Sequence, residues 1–202
     1  MLANDVAHQS LTDAIALFQC VRDGGLDSTR TAAATIVESL RQGGKLLVFG
    51  NGGSAADAQH AATELVGRFM RERAGLPAIA LTADSCLVSS VANDYGYEQV
   101  FARQIEALGQ PGDVALGITT SGTSRNVVRA LEVAKGKALR TIALTGRDGG
   151  VAGRLADVHV NVPSEVTPRV QEVHMALLHV ICELVESALI AEREPAAVER
   201  KR

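Results

Sequence analysis

Five short apolar runs, separated by stretches of helical character, constrain this chain more than any other feature. They are KLLVFG from Lys45, PAIALT from Pro77, DVALGIT from Asp113, RTIALTG from Arg140 and DVHVNV from Asp157. A short run of this kind, bounded by turn residues, reads as a strand buried on both faces, as parallel strands are. Helical patterns occupy residues 54–68, 98–108, 124–135 and 168–191, and a short helix with a loop is expected between 81 and 98. Two more helices precede the first strand. One covers residues 5–22 and stops at Gly24-Gly25; the next has Ser28 as a candidate N-cap and stops at Gly43-Gly44. Strand and helix in alternation predict a doubly wound α/β fold, a three-layer sandwich around a five-stranded, mainly parallel sheet. The two leading helices and a long C-terminal helix are additions to that plan.

With 202 residues the chain suits one domain over 1–202, with residues 1–44 as packing and assembly helices and 192–202 as a charged tail that frays. Hydrophobic residues at 47% and charged residues at 21% exclude a disordered chain. A net charge of −3 gives no general basic footprint, and 3% aromatics without tryptophan leave little for stacking on bases, so no nucleic-acid partner is expected. His179, Glu183 and Glu186 interrupt the apolar stretch 175–191, so no membrane span is expected, and MLANDVAHQS reads as no secretory signal. Cys20, Cys86 and Cys182 are scattered and read as small buried hydrophobes in a reducing cytoplasm.

In open α/β sheets, ligands bind beyond the carboxyl ends of the strands. The first such exit is GNGGSAADAQH, residues 50–60, with Ser54 at a helix N-terminus where free N–H groups attract anions. GNGGSA also fits GxGxxA, but the acidic ribose partner expected about 20 residues on is missing, since that offset falls near Met70. The second exit is TTSGTSRN from Thr119, five hydroxyl residues around one glycine before a helix, a cradle for phosphate without lysine. The third, TGRDGG from Thr145, reads as a turn.

His60 and Glu64 stand at i and i+4 on one helix face, a spacing open to metal ligation, acid–base work or a plain ion pair. Gln171, His174 and His179 share the last helix. About 12 Å of rise separates Gln171 from His179, a long reach to one metal from a single helix. That helix is apolar nearly all round, at Val173, Met175, Leu177, Leu178, Val180, Ile181, Leu184 and Val185, and the first helix carries Ile15, Leu17 and Phe18. Covering both calls for a second copy of the chain. His8 and His159 have no constellation around them.

Taken in order, GNGGSAADAQHAATELVGRF, VANDYGY, ITTSGTSRN, TGRDGG and RVQEVHMALLHVICELVE resemble the phosphoheptose isomerases, sugar isomerase (SIS) domain proteins, over residues 11–186. The resemblance implies an aldose–ketose isomerase that converts sedoheptulose 7-phosphate to D-glycero-D-manno-heptose 7-phosphate for lipopolysaccharide or other surface glycans. It implies that Asn51, Gly52, Gly53 and Ser54 line the sugar-phosphate site, that Asn93 and Asp94 contact substrate, and that Thr119, Thr120, Ser121 and Ser124 hold the phosphate. His60, Glu64, Gln171 and His179 match its zinc ligands, with one zinc per subunit. Glu64 and His179 match its acid–base pair, and Glu64 and Gln171 also touch substrate. Thr119 stands where serine is common. A cytoplasmic homotetramer with active sites at subunit interfaces is implied as well. The rival within the family is a non-enzymatic paralogue that binds the replication initiator protein; it lacks the acid and the histidine that this chain keeps at Glu64 and His179.

Overall fold

The structure, a computed structural model, describes residues 3–191; the tail 192–202 lies outside them. The elements follow in the order α1 (Ala3–Asp23), α2 (Asp27–Arg41), β1 (Leu46–Gly50), α3 (Gly53–Val66), β2 (Ala78–Ala80), α4 (Ser85–Tyr95), a 3₁₀ turn (Tyr97–Gln99), α5 (Ala102–Leu108), β3 (Val114–Thr119), α6 (Arg125–Gly136), β4 (Arg140–Gly146), α7 (Gly150–Leu155), β5 (Val158–Val162) and α8 (Thr167–Ala191). All four strand pairings are parallel, and the order across the sheet is β2-β1-β3-β4-β5. The five predicted strands are all present.

That order explains the layers. Crossovers between parallel strands are right-handed. The step from β1 to β2 runs one way along the sheet and all later steps run the other. So α3 lies on one face, while α4, α5, α6 and α7 lie on the opposite one. The first face is completed by α2 and α8, where Ile36, Val37, Leu65, Val173, Leu177 and Val185 meet Val48, Leu116 and Ile142. On the second face Phe101, Ile105, Val127 and Leu131 meet Leu47, Phe49 and Ala143. Because successive side chains alternate faces, β1 serves both cores, with Leu46 and Val48 on one and Leu47 and Phe49 on the other.

Several sequence expectations need correction. The N-cap of α2 is Leu26, with no side-chain cap bond, and Ser28 lies inside the helix. Asp27 opens the helix and puts its carboxylate in the first turn, which the helix dipole favours. The expected helix 98–108 is broken: Val100 and Phe101 are buried between the 3₁₀ turn and α5. TGRDGG does more than turn, since α7 starts at its final glycine. Cys182 is buried, but Cys20 and Cys86 are exposed, because their helices show those positions to solvent.

By length and composition α8 could cross a membrane, with a mean hydropathy of 1.7 over Thr167–Ile190. Here it packs on α2 and α3 and buries Glu186 in an ion pair. Helix α1 covers itself poorly: Leu17 and Val21 touch the body, while Val6, Leu11, Ile15 and Phe18 are exposed.

Candidate active site

Strands β1 and β3 are neighbours whose following helices leave to opposite faces, so their carboxyl ends frame a crevice. Asn51, from the β1 exit, and Asn126, from the first turn of α6, bridge it. Each side-chain amide donates to the other's carbonyl at 2.8 Å. Tyr97 donates its hydroxyl to Asn51 Oδ1 at 3.1 Å, which draws the end of α4 and the 3₁₀ turn over the same crevice. Asn93 and Asp94 sit exposed on the last turn of α4, with Asn93 Nδ2 donating to Asp94 Oδ1 at 2.8 Å. Asn126 and Tyr97 lie inside motifs singled out from the sequence, but nothing in the sequence separates them from their neighbours.

The hydroxyl loop is compact. Thr119 is buried at the end of β3, and its Oγ1 lies 3.3 Å from Ser121 Oγ and 3.0 Å from Ser124 Oγ. Ser124 is the N-cap of α6 yet makes no side-chain cap bond, and its hydroxyl turns to the loop. Asn126 Oδ1 instead accepts from the Val127 N–H at 3.0 Å, so the N–H groups of Arg125 and Asn126 are the ones left facing the loop end of the helix. Thr120 and Ser121 are half-buried. A side chain at Gly122, which has φ +68°, would collide with the carbonyl of Gly149, and Ala152 N–H donates to Gly122 O at 2.9 Å. The TGRDGG segment thus backs the hydroxyl loop from behind.

Gly52 and Gly53 are exposed at the start of α3, and Ser54 is buried in its first turn. Gly53 is closed by Gln171: any β-carbon there would run into the Gln171 amide. Gln171 therefore lies at the strand-exit end of α8.

The titratable group lies farther along. His60 Nε2 is 2.9 Å from Glu64 Oε1 and 3.0 Å from His179 Nε2, and one donor atom from each of the three falls within 4.8 Å of the others. The structure brings His60, Glu64 and His179 together and leaves Gln171 of the same chain about 12 Å of helix away. Two imidazole nitrogens and a carboxylate oxygen are the donors zinc takes. A single N–H on His60 would have to serve Glu64 and His179 at once, whereas a cation takes a lone pair from each. The donor set therefore fits a metal. Phe69, with its ring centroid 5.5 Å from that of His179, walls the group on one side. Asp57, one turn before His60, is buried with Oδ2 unpartnered, and burial pushes its carboxyl pKa up against the opposing effect of His60.

A hydroxyl loop at an α/β switch point, with a carboxylate–imidazole group farther along α3 and α8, suits a sugar-phosphate isomerase. The sequence model of the SIS domain matches residues 11–146. A phosphoheptose isomerase of Geotalea daltonii is 57% identical over 158 residues, 78% of this chain and 82% of that protein. The solved phosphoheptose isomerase GmhA from Neisseria gonorrhoeae is 40% identical, with a TM-score of 0.88 over 92% of this chain and 100% of that one. That from Francisella tularensis is 37% identical, with a TM-score of 0.90 over 93% and 100%. The chain belongs to the SIS domain family and, within it, to the phosphoheptose isomerases.

Proposed function

We propose that this chain converts sedoheptulose 7-phosphate to D-glycero-D-manno-heptose 7-phosphate, an aldose–ketose isomerisation through an enediol, in the cytoplasm, to supply heptose for lipopolysaccharide or other surface glycans. The convergence of Glu64, His60 and His179 carries the reading. Moving a carbonyl from C2 to C1 needs a proton taken from C1 and returned to C2, and another moved between O1 and O2. Glu64 takes the carbon proton, and His179 is the partner that moves the oxygen proton. The phosphate binds on Thr119, Thr120, Ser121 and Ser124 and on the N–H groups of Arg125 and Asn126 at the start of α6. Asn51, Gly52, Gly53, Ser54, Asn93 and Asp94 orient the sugar. His60, Glu64 and His179 would hold one zinc per subunit, and the ion would polarise the substrate carbonyl. An imidazole that ligates zinc through Nε2 cannot take a proton there, so His179 serves as the proton-moving group only when its Nε2 is off the ion.

The whole chain works as one SIS domain, and residues 1–44 serve packing and assembly. The active unit is a homotetramer with sites between subunits. Two observations support this: Leu11, Ile15 and Phe18 of α1 are exposed, and Gln171 stands far from its own chain's His60–Glu64–His179 group. A partner subunit's Gln171 completes that group. The test is a panel of sugar phosphates assayed alongside metal analysis of the same sample. Conversion of the seven-carbon ketose phosphate with near-stoichiometric zinc is expected. A protein that converts no member of the panel contradicts the reading.

A further inference from the structure

Away from the reacting groups, a densely hydrogen-bonded polar cluster is buried where α3, α8 and the segment after α3 meet. The Arg73 and Glu186 side chains are 5% and 2% exposed, with Arg73 Nε 3.0 Å from Glu186 Oε1. Glu186 also accepts from the backbone N–H groups of Phe69 at 3.1 Å, Met70 at 3.0 Å and Arg71 at 3.0 Å. Burial alone would raise its pKa; the three N–H donors and the guanidinium outweigh that and hold it below the usual carboxylate range. Arg73 turns its two terminal nitrogens to the last turn of α3, Nη1 also reaching the carbonyl of Ala74 at 3.1 Å. Nη2 meets the carbonyl of Glu64 at 2.7 Å and Nη1 that of Leu65 at 2.8 Å. These are among the carbonyls that a helix end leaves without partners.

A buried ion pair is a poor source of stability, because apolar residues of similar volume often do as well. This pair does something an apolar pair could not. Through Arg73 it holds the backbone of Glu64 itself. Glu186 stands two turns after His179 on α8, about 10 Å along the same side. It also holds the N–H of Phe69, whose ring lies against His179. The two helices that supply the metal-binding group are thus tied at one polar knot. We propose that Arg73 and Glu186 are positioning residues, a clamp that fixes the spacing of Glu64 and His179 and with it the affinity of the His60–Glu64–His179 group for zinc. The kinetic part of the test rests on the isomerase reading; the zinc part does not.

Three variants of the full chain decide it: Glu186→Gln, Arg73→Lys, and Leu131→Ala as a control in the buried core of the opposite sheet face. Folding is followed by circular dichroism and thermal melting. Zinc affinity is measured by competition with a chelator of known affinity, and kcat and KM with sedoheptulose 7-phosphate. Glu186→Gln and Arg73→Lys should each weaken zinc binding about 10–100-fold, the usual effect of losing support behind a ligand. Their kcat should fall by a similar factor. KM should stay within about threefold, since the hydroxyl loop at the strand exits is untouched. Leu131→Ala should lower the melting temperature and leave zinc affinity unchanged. Zinc affinity and kcat in both clamp variants no lower than in the control overturn the proposal. So does wild-type zinc affinity in Arg73→Lys, which keeps the charge facing Glu186 but loses the forked contact with α3. If Glu186→Gln does not fold, Arg73→Lys alone decides. If the wild-type chain binds zinc but isomerises nothing, the isomerase reading fails and zinc affinity judges the clamp.

Discussion

His60 and His179, 119 residues apart in the chain, bring their Nε2 atoms to 3.0 Å of each other, with the Glu64 carboxylate 2.9 Å from His60. No single helix achieves this. It depends on α3 and α8 packing side by side on one sheet face, with the His60–Glu64 pair on one and His179 on the other. Replacing a direct ligand should cost more zinc affinity than the about 10–100-fold typical of groups behind the ligands. His60→Ala and His179→Ala should therefore purify nearly free of zinc, as metal analysis would show. Wild-type zinc content in both would remove the group as a metal site.

The hydroxyl loop makes a separate prediction. Ser121 and Ser124 hydroxyls face Thr119 Oγ1 rather than capping α6. A hydrogen bond to a charged phosphate contributes about 1.5–3 kcal/mol. Ser121→Ala and Ser124→Ala should each raise KM by about an order of magnitude or more, with a smaller change in kcat. Unchanged KM in both would show that the phosphate binds elsewhere.

The three central strands β1, β3 and β4 and their exits are legible in the sequence because strands buried on both faces leave continuous apolar runs ending at glycine or threonine. The edge strands β2 and β5 are not buried on both faces, with Ile79 exposed and His159 and Asn161 interrupting β5. The hydroxyl loop and the His60–Glu64 pair are legible because each lies within one local segment. Arg73 and Glu186 are not. They are 113 residues apart, and Glu186 by itself reads as a charge breaking an apolar run. Only the packing of α8 on the segment after α3 shows that it is buried and paired. Ser28 misleads for a simpler reason: serine suits an N-cap, but the helix takes up the neighbouring Asp27 as its first residue.

Stability should fall on acidification through His174. Its ring is fully buried, and Nε2 lies 2.9 Å from the carbonyl of Thr145. Burial pushes its pKa from 6.5 down to about 4, against the opposing effect of that carbonyl. Between these two values the unfolded chain binds a proton that the folded chain does not, so stability is lost as pH falls through the window. The loss attributable to this histidine approaches about 3 kcal/mol by pH 4. Urea unfolding at pH 7 and at pH 4, with chelator present throughout, should show a smaller acid loss in His174→Gln than in the wild type. Equal losses would contradict the assignment.

Subunit sharing can be read by complementation. His60, Glu64 and His179 belong to one chain's group, whereas Gln171 of that chain sits against Gly53. Glu64→Gln and Gln171→Ala subunits, each inactive alone, should regain part of the wild-type activity when dissociated, mixed and reassembled. A hybrid interface then joins an intact Glu64 to an intact Gln171. Verified hybrids with no recovered activity would mean that each site is built within one chain.

As the base that takes the C1 proton, Glu64 is the residue on which the isomerisation depends, and turnover of sedoheptulose 7-phosphate by Glu64→Gln is the measurement that decides its role. Glutamine keeps the shape and a possible oxygen ligand but cannot take the proton. With fold and zinc content matched to the wild type, kcat should fall by about 10²–10⁴-fold, the usual contribution of a general base. A zinc-loaded, folded Glu64→Gln protein that turns over at the wild-type rate would show that Glu64 is not the base.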